Sequence, residues 1–299
     1  MERIVRFARE HAVGALVLLG LAGLWQLLSM IFRLEAVPGE PMVPGWQIVV
    51  TKTFISLSDY WSGGFGVASV AEGGPRTYQG AILAIVSNSW DTALRLYTGL
   101  AVGAVVGTLL GLAVSWSRWT RRLVELPAQF LRTFPLLAMI PLFELWFGTY
   151  FIGMATFVAY GTGVIFFAGV VNAVKNVPQV YIDYAHTLGA NRLHLYRTVI
   201  LPAIFPELRS SILLSLGIGW SAVLGAEYLG AQTGLGSIIV FSEQFAYLDR
   251  MFLVALLFIL YASVSYAIFD GVSQRMLRWL PRAARESVPA VAAQPAVRR

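Results

Sequence analysis

The sequence predicts an all-α, polytopic membrane protein, a helical bundle of about six transmembrane helices with both termini cytoplasmic. Three observations predict it. Of the 299 residues, 57% are hydrophobic and 13% charged, whereas a soluble domain carries roughly 45–50% and about 25%; mean hydropathy is +0.68. Apolar runs long enough to cross a bilayer, about 20 residues, succeed one another along the chain. Basic residues gather in alternate segments between those runs, the pattern that orients a membrane protein.

The first run, 12–32, follows Arg3, Arg6 and Arg9, as the core of a secretion signal would. It is too long for that, and no small-residue cleavage site follows, so it reads as a retained anchor. Further spans are expected at 93–116, 130–148, 151–173, 211–229 and 251–272. Arg118, Arg121, Arg122 and Arg132 fall between the second and third spans. Lys175, Arg192, Arg197 and Arg209 fall between the fourth and fifth, and Arg275, Arg278, Arg282 and Arg285 after the sixth. These segments are therefore expected in the cytoplasm.

The chain reads as a cytoplasmic N-terminus 1–11, a transmembrane domain 12–280 and a disordered cytoplasmic tail 281–299, rich in Ala, Pro, Val and Arg. The domain holds an external segment 33–91 and a cytoplasmic loop 175–206. Prolines 38, 41, 44 and 75 and glycines 63, 64, 66, 73 and 74 break the external segment, leaving 46–60 and 78–90 as short interfacial helices. With no cysteine in the chain, disulfides, thiolate metal sites and cysteine nucleophiles are excluded. The net charge of +6 is explained by orientation in the bilayer and not by nucleic acid.

Gly99, Gly103, Gly107 and Gly111 recur every fourth residue and share one helix face, where another backbone can approach closely. That face suits packing within the chain or a surface toward a subunit or pathway. Pro135 and Pro141 remove backbone donors within the third run. Glu144 and Glu227 lie in apolar runs, where a carboxylate faces a partner or a cavity. Both readings stand for them: a structural hydrogen bond near the external boundary, or the wall of a translocation pathway.

The loop before the fifth span is the most informative stretch. Pro178 opens it, an amphipathic turn or two runs to Leu188, Gly189 permits a reversal, and Asn191 can cap a second helix ending before Pro202. From spacing alone, a protein-docking element and a membrane-lying hairpin are equally good readings. His186 and His194 have no carboxylates at ligand spacing, so no metal is expected. The only lysines, Lys52 and Lys175, follow no Gly-x-x-x-x-Gly run, so no phosphate-binding loop for ATP is expected. An intramembrane hydrolase would need a paired nucleophile and base that the spans do not offer.

Asp183, Tyr184 and Ala185, then Gly189, then Val199, Ile200, Leu201 and Pro202 resemble the loop signature of ABC-importer permeases, Glu-Ala-Ala, Gly and Ile-x-Leu-Pro. Flanking stretches are similar in order to the nitrate, sulfonate and taurine branch: 88–99, 115–119, 134–143 with Trp146, Phe147 and Gly148, and 226–231 with 234–236. The resemblance implies the type I importer permease fold in a bacterial inner membrane. It also implies a second permease copy forming a homodimer, cytoplasmic ATPase subunits that bind ATP and Mg, and a periplasmic or lipid-anchored solute-binding protein. Asp183, Tyr184, Ala185, His186, Leu188 and Gly189 would form the coupling contact, with no cofactor in this chain. The solute would be a small anion such as a sulfonate, taurine or nitrate, with an uncharged small molecule as the alternative; an ATP-independent transporter would not need the docking loop. Glu144 stands where that branch has an aliphatic residue, and about 20 residues around 63–85 look inserted.

Overall fold

The computed structural model describes residues 2–32, 34–37, 40–228 and 230–277. The tail 281–299 lies outside them. Apart from a small antiparallel pair, Glu35–Val37 with Glu40–Pro41, the named elements of the described chain are helices. Its helices are α1 (Glu2–Ile31), α2 (Tyr78–Trp116), α3 (Arg118–Thr133), α4 (Leu136–Phe147), α5 (Phe151–Lys175), α6 (Gln179–Thr187), α7 (Arg192–Leu195), α8 (Leu201–Tyr228), α9 (Leu235–Gln244) and α10 (Leu248–Met276). Short helical turns of mixed pitch fill 46–60. Among the described residues, five stretches are long and apolar enough to cross a membrane: Ala12–Ile31, Tyr78–Trp116, Phe151–Lys175, Arg192–Tyr228 and Leu248–Met276. A sixth is counted if Trp119–Thr133 and Leu136–Phe147, bent by 106°, make one span.

Three expectations are corrected. The run 130–148 is not one straight helix. Phe134, forced out of the helical region by the proline after it, is extended (φ −67°, ψ 131°) and Pro135 opens α4. The stretch 78–90 is not a separate interfacial helix but the first turns of the 39-residue α2. Its polar residues looked like a boundary, yet the Asn88 amide donates to the Ala84 carbonyl (2.8 Å) and its oxygen accepts from the Gly234 N–H (2.8 Å). Finally, the second loop helix does not stop before Pro202. A π-helical turn, Tyr196–Ile200, joins α7 to α8, so Pro202 lies inside the continuous helical stretch Arg192–Tyr228 and removes one N–H from its ladder.

The chain divides into two compact units, Met1–Ser89 with Thr233–Leu257, and Trp90–Gln232 with Phe258–Arg299. In the first, Trp25 stacks on Phe252 (ring centroids 4.2 Å apart) and donates its indole N–H to the Pro44 carbonyl (2.8 Å), while Trp46 donates to Ala22 (2.9 Å). Asp59 accepts two bonds from Arg76 (2.7 and 2.9 Å) and lies 3.1 Å from Arg250. Thr53 donates to Asp249 (2.6 Å). Aromatic stacking and charge-assisted bonds thus order this polar segment.

In the second unit, α2 lies against α5 along its glycine face. A Cβ at Gly99 would sit 2.6 Å from the Ala155 carbonyl oxygen, at Gly103 2.3 Å from Thr162 Oγ1, at Gly107 2.3 Å from the Gly163 carbonyl oxygen, and at Gly111 2.8 Å from Val170 Cβ. No side chain fits there. The opposite face, with Val102, Val105 and Leu109, is exposed, as suits a helix solvated by lipid.

Gly107→Val forces backbone apart at this crossing and is expected to cost about 1–3 kcal/mol or more, read as a lower unfolding midpoint of the detergent-purified chain. Gly217→Ala, whose new Cβ would meet nothing within 4 Å, should leave the midpoint level or slightly raised. Equal midpoints for Gly107→Val and the parent would contradict the close approach.

Candidate functional site

The loop between α5 and α8 is built as a stiff bracket. Gln179 Nε2 donates to Asp183 Oδ1 (3.0 Å) across one turn of α6. The helix ends in a paired cap, with the Ala190 N–H donating to the Ala185 carbonyl (3.0 Å) and the Gly189 N–H to the His186 carbonyl (2.9 Å). This cap requires a left-handed residue after the helix, and Gly189 has φ +76°. Asn191 Oδ1 then accepts the His194 N–H (2.8 Å) and starts α7.

Ala185 is the inward residue of α6. It packs with Val170, Ala173 and Val177 at the end of α5 and with Leu195, Ile200 and Ile204 leading into α8. Asp183, Tyr184, His186, Leu188 and Gly189 are exposed, Tyr184 by 67% and Leu188 by 71%. Beside them opens a groove of about 680 Å³, lined by Tyr181, Tyr184, Leu188, His194 and Pro202 among others. Tyr181 was missed from the sequence, although its spacing from Tyr184 and Leu188, i, i+3, i+7, places all three on one helix face. Among the described residues no group of three His, Asp or Glu is placed to hold a metal ion.

The two carboxylates are placed very differently. Glu227, near the end of α8, is fully buried; Arg95 Nη1 donates to its Oε1 (2.6 Å) and Thr92 Oγ1 to its Oε2 (3.0 Å), both from α2. A carboxylate in an apolar surrounding is tolerable when paired and hydrogen-bonded in this way. Glu144 is half-buried on α4, beside a void of about 20 Å³ shared with Thr149 and Phe157.

Neither carboxylate lines the cavity beside α5 and α8. That space, about 960 Å³, is bordered by the end of α3, α4, α5 and α8. Its wall is mainly apolar, with Tyr160, Asn172, Ser210, Ser211 and Ser221 as polar points and Arg132, Asn176 and Glu207 among its charged and amide groups. The Tyr160 hydroxyl donates to the Leu131 carbonyl (2.8 Å) and Asn176 Nδ2 to Glu207 Oε2 (3.0 Å). Asn172 and Ser211 went unnoticed in sequence; a polar residue inside each apolar run was the available signal.

Residues 103–278 match the family model described as "Binding-protein-dependent transport system inner membrane component". Over 185 residues the chain is 29% identical to a Bacillus subtilis protein named for aliphatic sulfonates transport, the permease SsuC, covering 62% of this chain and 67% of that one. Over 158 residues it is 32% identical to the taurine transport system permease protein TauC of Escherichia coli, covering 52% and 56%. A chain of the MetNI methionine ABC transporter, solved in inward-facing conformations, shares the fold with a TM-score of 0.53 at 20% identity, covering 65% of this chain and 95% of that one.

Removing one partner of the Glu227–Arg95 pair strands a buried charge, so Glu227→Ala and Arg95→Ala are each expected to destabilise by about 3–5 kcal/mol. Arg95→Met with Glu227→Leu should recover most of the loss, because both charges leave together. Thermal midpoints of the two single variants and the double test this; additive losses would deny the pair.

Proposed function

The chain belongs to the family of binding-protein-dependent transport system inner membrane components, and from that premise we propose that it is the membrane-spanning subunit of an ATP-driven importer of small sulfonate-like anions. It takes no part in the ATP chemistry itself: ATP and Mg are held by cytoplasmic ATPase subunits that dock on the α6 bracket. The carrying observation is the bracket's construction. Ala185 is locked into the α5 and α8 core while Tyr184 and Leu188 stand out in water beside an apolar groove. Large exposed apolar groups on a rigid cap, in a segment the arginine pattern places in the cytoplasm, are what a protein partner covers. Both termini lie on that same side, in a bacterial inner membrane.

The mechanism follows from what the bracket is attached to. When two ATPase subunits close on ATP they draw the docked brackets of two permease copies together. Ala185 passes the displacement into the ends of α5 and α8. The glycine crossing of α2 with α5, and the Glu227 bonds of α8 to α2, make these three helices move as one block. The cavity beside them, bordered by α4, α5 and α8, is this copy's half of a path that alternately faces the two sides. An external binding protein delivers the solute. The sulfonate and taurine relatives support that solute class, and Arg132 at the cavity is compatible with an anion.

Gly189→Val puts a β-branched residue at φ +76°, a strained conformation, whereas Gly189→Asn can adopt it. With both variants at wild-type abundance, Gly189→Val should lose most uptake while the complex keeps hydrolysing ATP, and Gly189→Asn should keep both. Normal coupled uptake by Gly189→Val would sink the docking role. Uptake by proteoliposomes of this chain with no ATPase would sink the importer reading altogether.

A further inference from the structure

Helix α3 is the element that transport has not yet used. It begins at a Ser117 cap whose side chain accepts from the Trp119 N–H (3.3 Å) and ends at the break before α4. One face is fixed to the protein: Val124 and Ala128 pack on Val114, Phe167 and Val171, and Glu125 is approached by Lys175 (3.5 Å) and Arg121 (3.8 Å). The other face is bare and apolar. Trp119, Leu123, Leu126 and Phe130 recur at i, i+4, i+7 and i+11, and they are 75%, 71%, 76% and 62% exposed.

Sixteen residues make a helix of about 24 Å, short of the ~30 Å hydrocarbon thickness, so α3 does not span by itself. It turns 106° from the apolar α4, so if α4 runs into the bilayer, α3 runs along its surface. Its polar flank is basic. Arg121, Arg122 and Arg132 are exposed, and among the described residues Arg122 has no carboxylate partner. An apolar stripe with tryptophan at one end and arginines on its flank matches an anionic lipid surface in both chemistry and charge.

We propose that α3 is an interfacial helix that lies in the cytoplasmic leaflet, with Trp119, Leu123, Leu126 and Phe130 at the acyl boundary and Arg122 on anionic lipid phosphates. The leaflet named rests on the importer reading; the lipid contact does not. Leu131 and Arg132, at the end of α3, also line the large cavity. The same helix therefore carries the lipid-facing stripe and an edge of the cavity wall.

The chain has no cysteine, so single cysteines report local surroundings. In the full-length chain purified with its partner subunits, Leu126→Cys and Arg122→Cys are spin-labelled in phosphatidylcholine vesicles containing about 30% phosphatidylglycerol, a fraction set in the range of natural anionic leaflets. The Leu126 label should collide with oxygen and be shielded from a water-soluble nickel chelate, at a depth of about 5–10 Å, and the Arg122 label should show the reverse. Nickel access at Leu126 would place the stripe in water, and shielding from both probes would place it under a subunit; either result overturns the proposal. As a second measurement, Arg122→Gln should lower the local enrichment of labelled phosphatidylglycerol over phosphatidylcholine about fivefold, the equivalent of about 1 kcal/mol per arginine, and Arg122→Lys should retain it. Unchanged enrichment in Arg122→Gln is the other refuting result. These readings need neither ATP nor solute, so failure of the importer reading would show in the uptake assays and leave them unaltered.

Discussion

The contact between α2 and α5 is the constraint on which the second unit depends. In lipid there is no hydrophobic gain in bringing two apolar helices together, so association rests on how closely backbones approach. Four glycines in register let α2 reach the Ala155 and Gly163 carbonyls of α5 at distances that a single methyl group would forbid. The third helix joins on an adjoining strip. At Gly219 of α8 an added Cβ would lie 2.9 Å from Leu96 of α2, and two turns further on Glu227 takes its bonds from Thr92 and Arg95. Dispersion over a smooth contact sets the spacing, and the ion pair sets the register, since a slip along either helix would leave a buried charge without its partner.

What the sequence made legible was whatever repeats or stands out locally. The glycine face is a period-four pattern, the loop cap is a glycine followed two residues later by asparagine, and the spans are apolar runs. In the structure the glycines face α5 and Gly189 caps α6, while the run 130–148 is broken at Phe134 and 78–90 continues into α2. Long-range partners were not legible. Nothing near Arg95 in sequence announces the carboxylate 132 residues away that it pairs with. That 78–90 continues into α2 was hidden for the same reason: the Asn88 oxygen takes its bond from Gly234, 146 residues distant. Helix α3 was hidden by its own arginines, which mark the loop as cytoplasmic and draw the eye from the i, i+4, i+7, i+11 stripe between them.

As the docking element we propose, the bracket asks a defined identity of few of its residues. Of the six residues assigned to it, Ala185 alone faces inward, and there a larger side chain would push α6 away from Val170 and Ile204. Gly189 is set by its backbone angle. Asp183, Tyr184, His186 and Leu188 present chemistry to the outside and can change with the surface they meet. That division explains how Asp183 and Tyr184 can stand where the resembling family has Glu and Ala. Acidity and exposure persist while the packed alanine and the left-handed turn stay as they are.

From the bracket to the ion pair there is a single stretch of chain, Arg192–Tyr228, 37 residues or about 55 Å of helix. It is not uniformly stiff. The π turn Tyr196–Ile200 widens the helix by one residue, the Thr198 hydroxyl bonds back to the His194 carbonyl (2.5 Å), and Pro202 and Pro206 each lack the N–H that would tie them to the preceding turn. These features together weaken the backbone ladder between α7 and the rest of α8. This stretch is braced on one side only: Ile200 and Ile204 are buried against α5, and Tyr196 packs its ring 4.6 Å from Trp116 at the end of α2, while Leu201 and Phe205 are exposed. Bends in a helix localise where prolines and π turns interrupt its ladder. In the importer we propose, force entering at α6 would pass along this stretch to Glu227, where the bond to Arg95 ties α8 to α2.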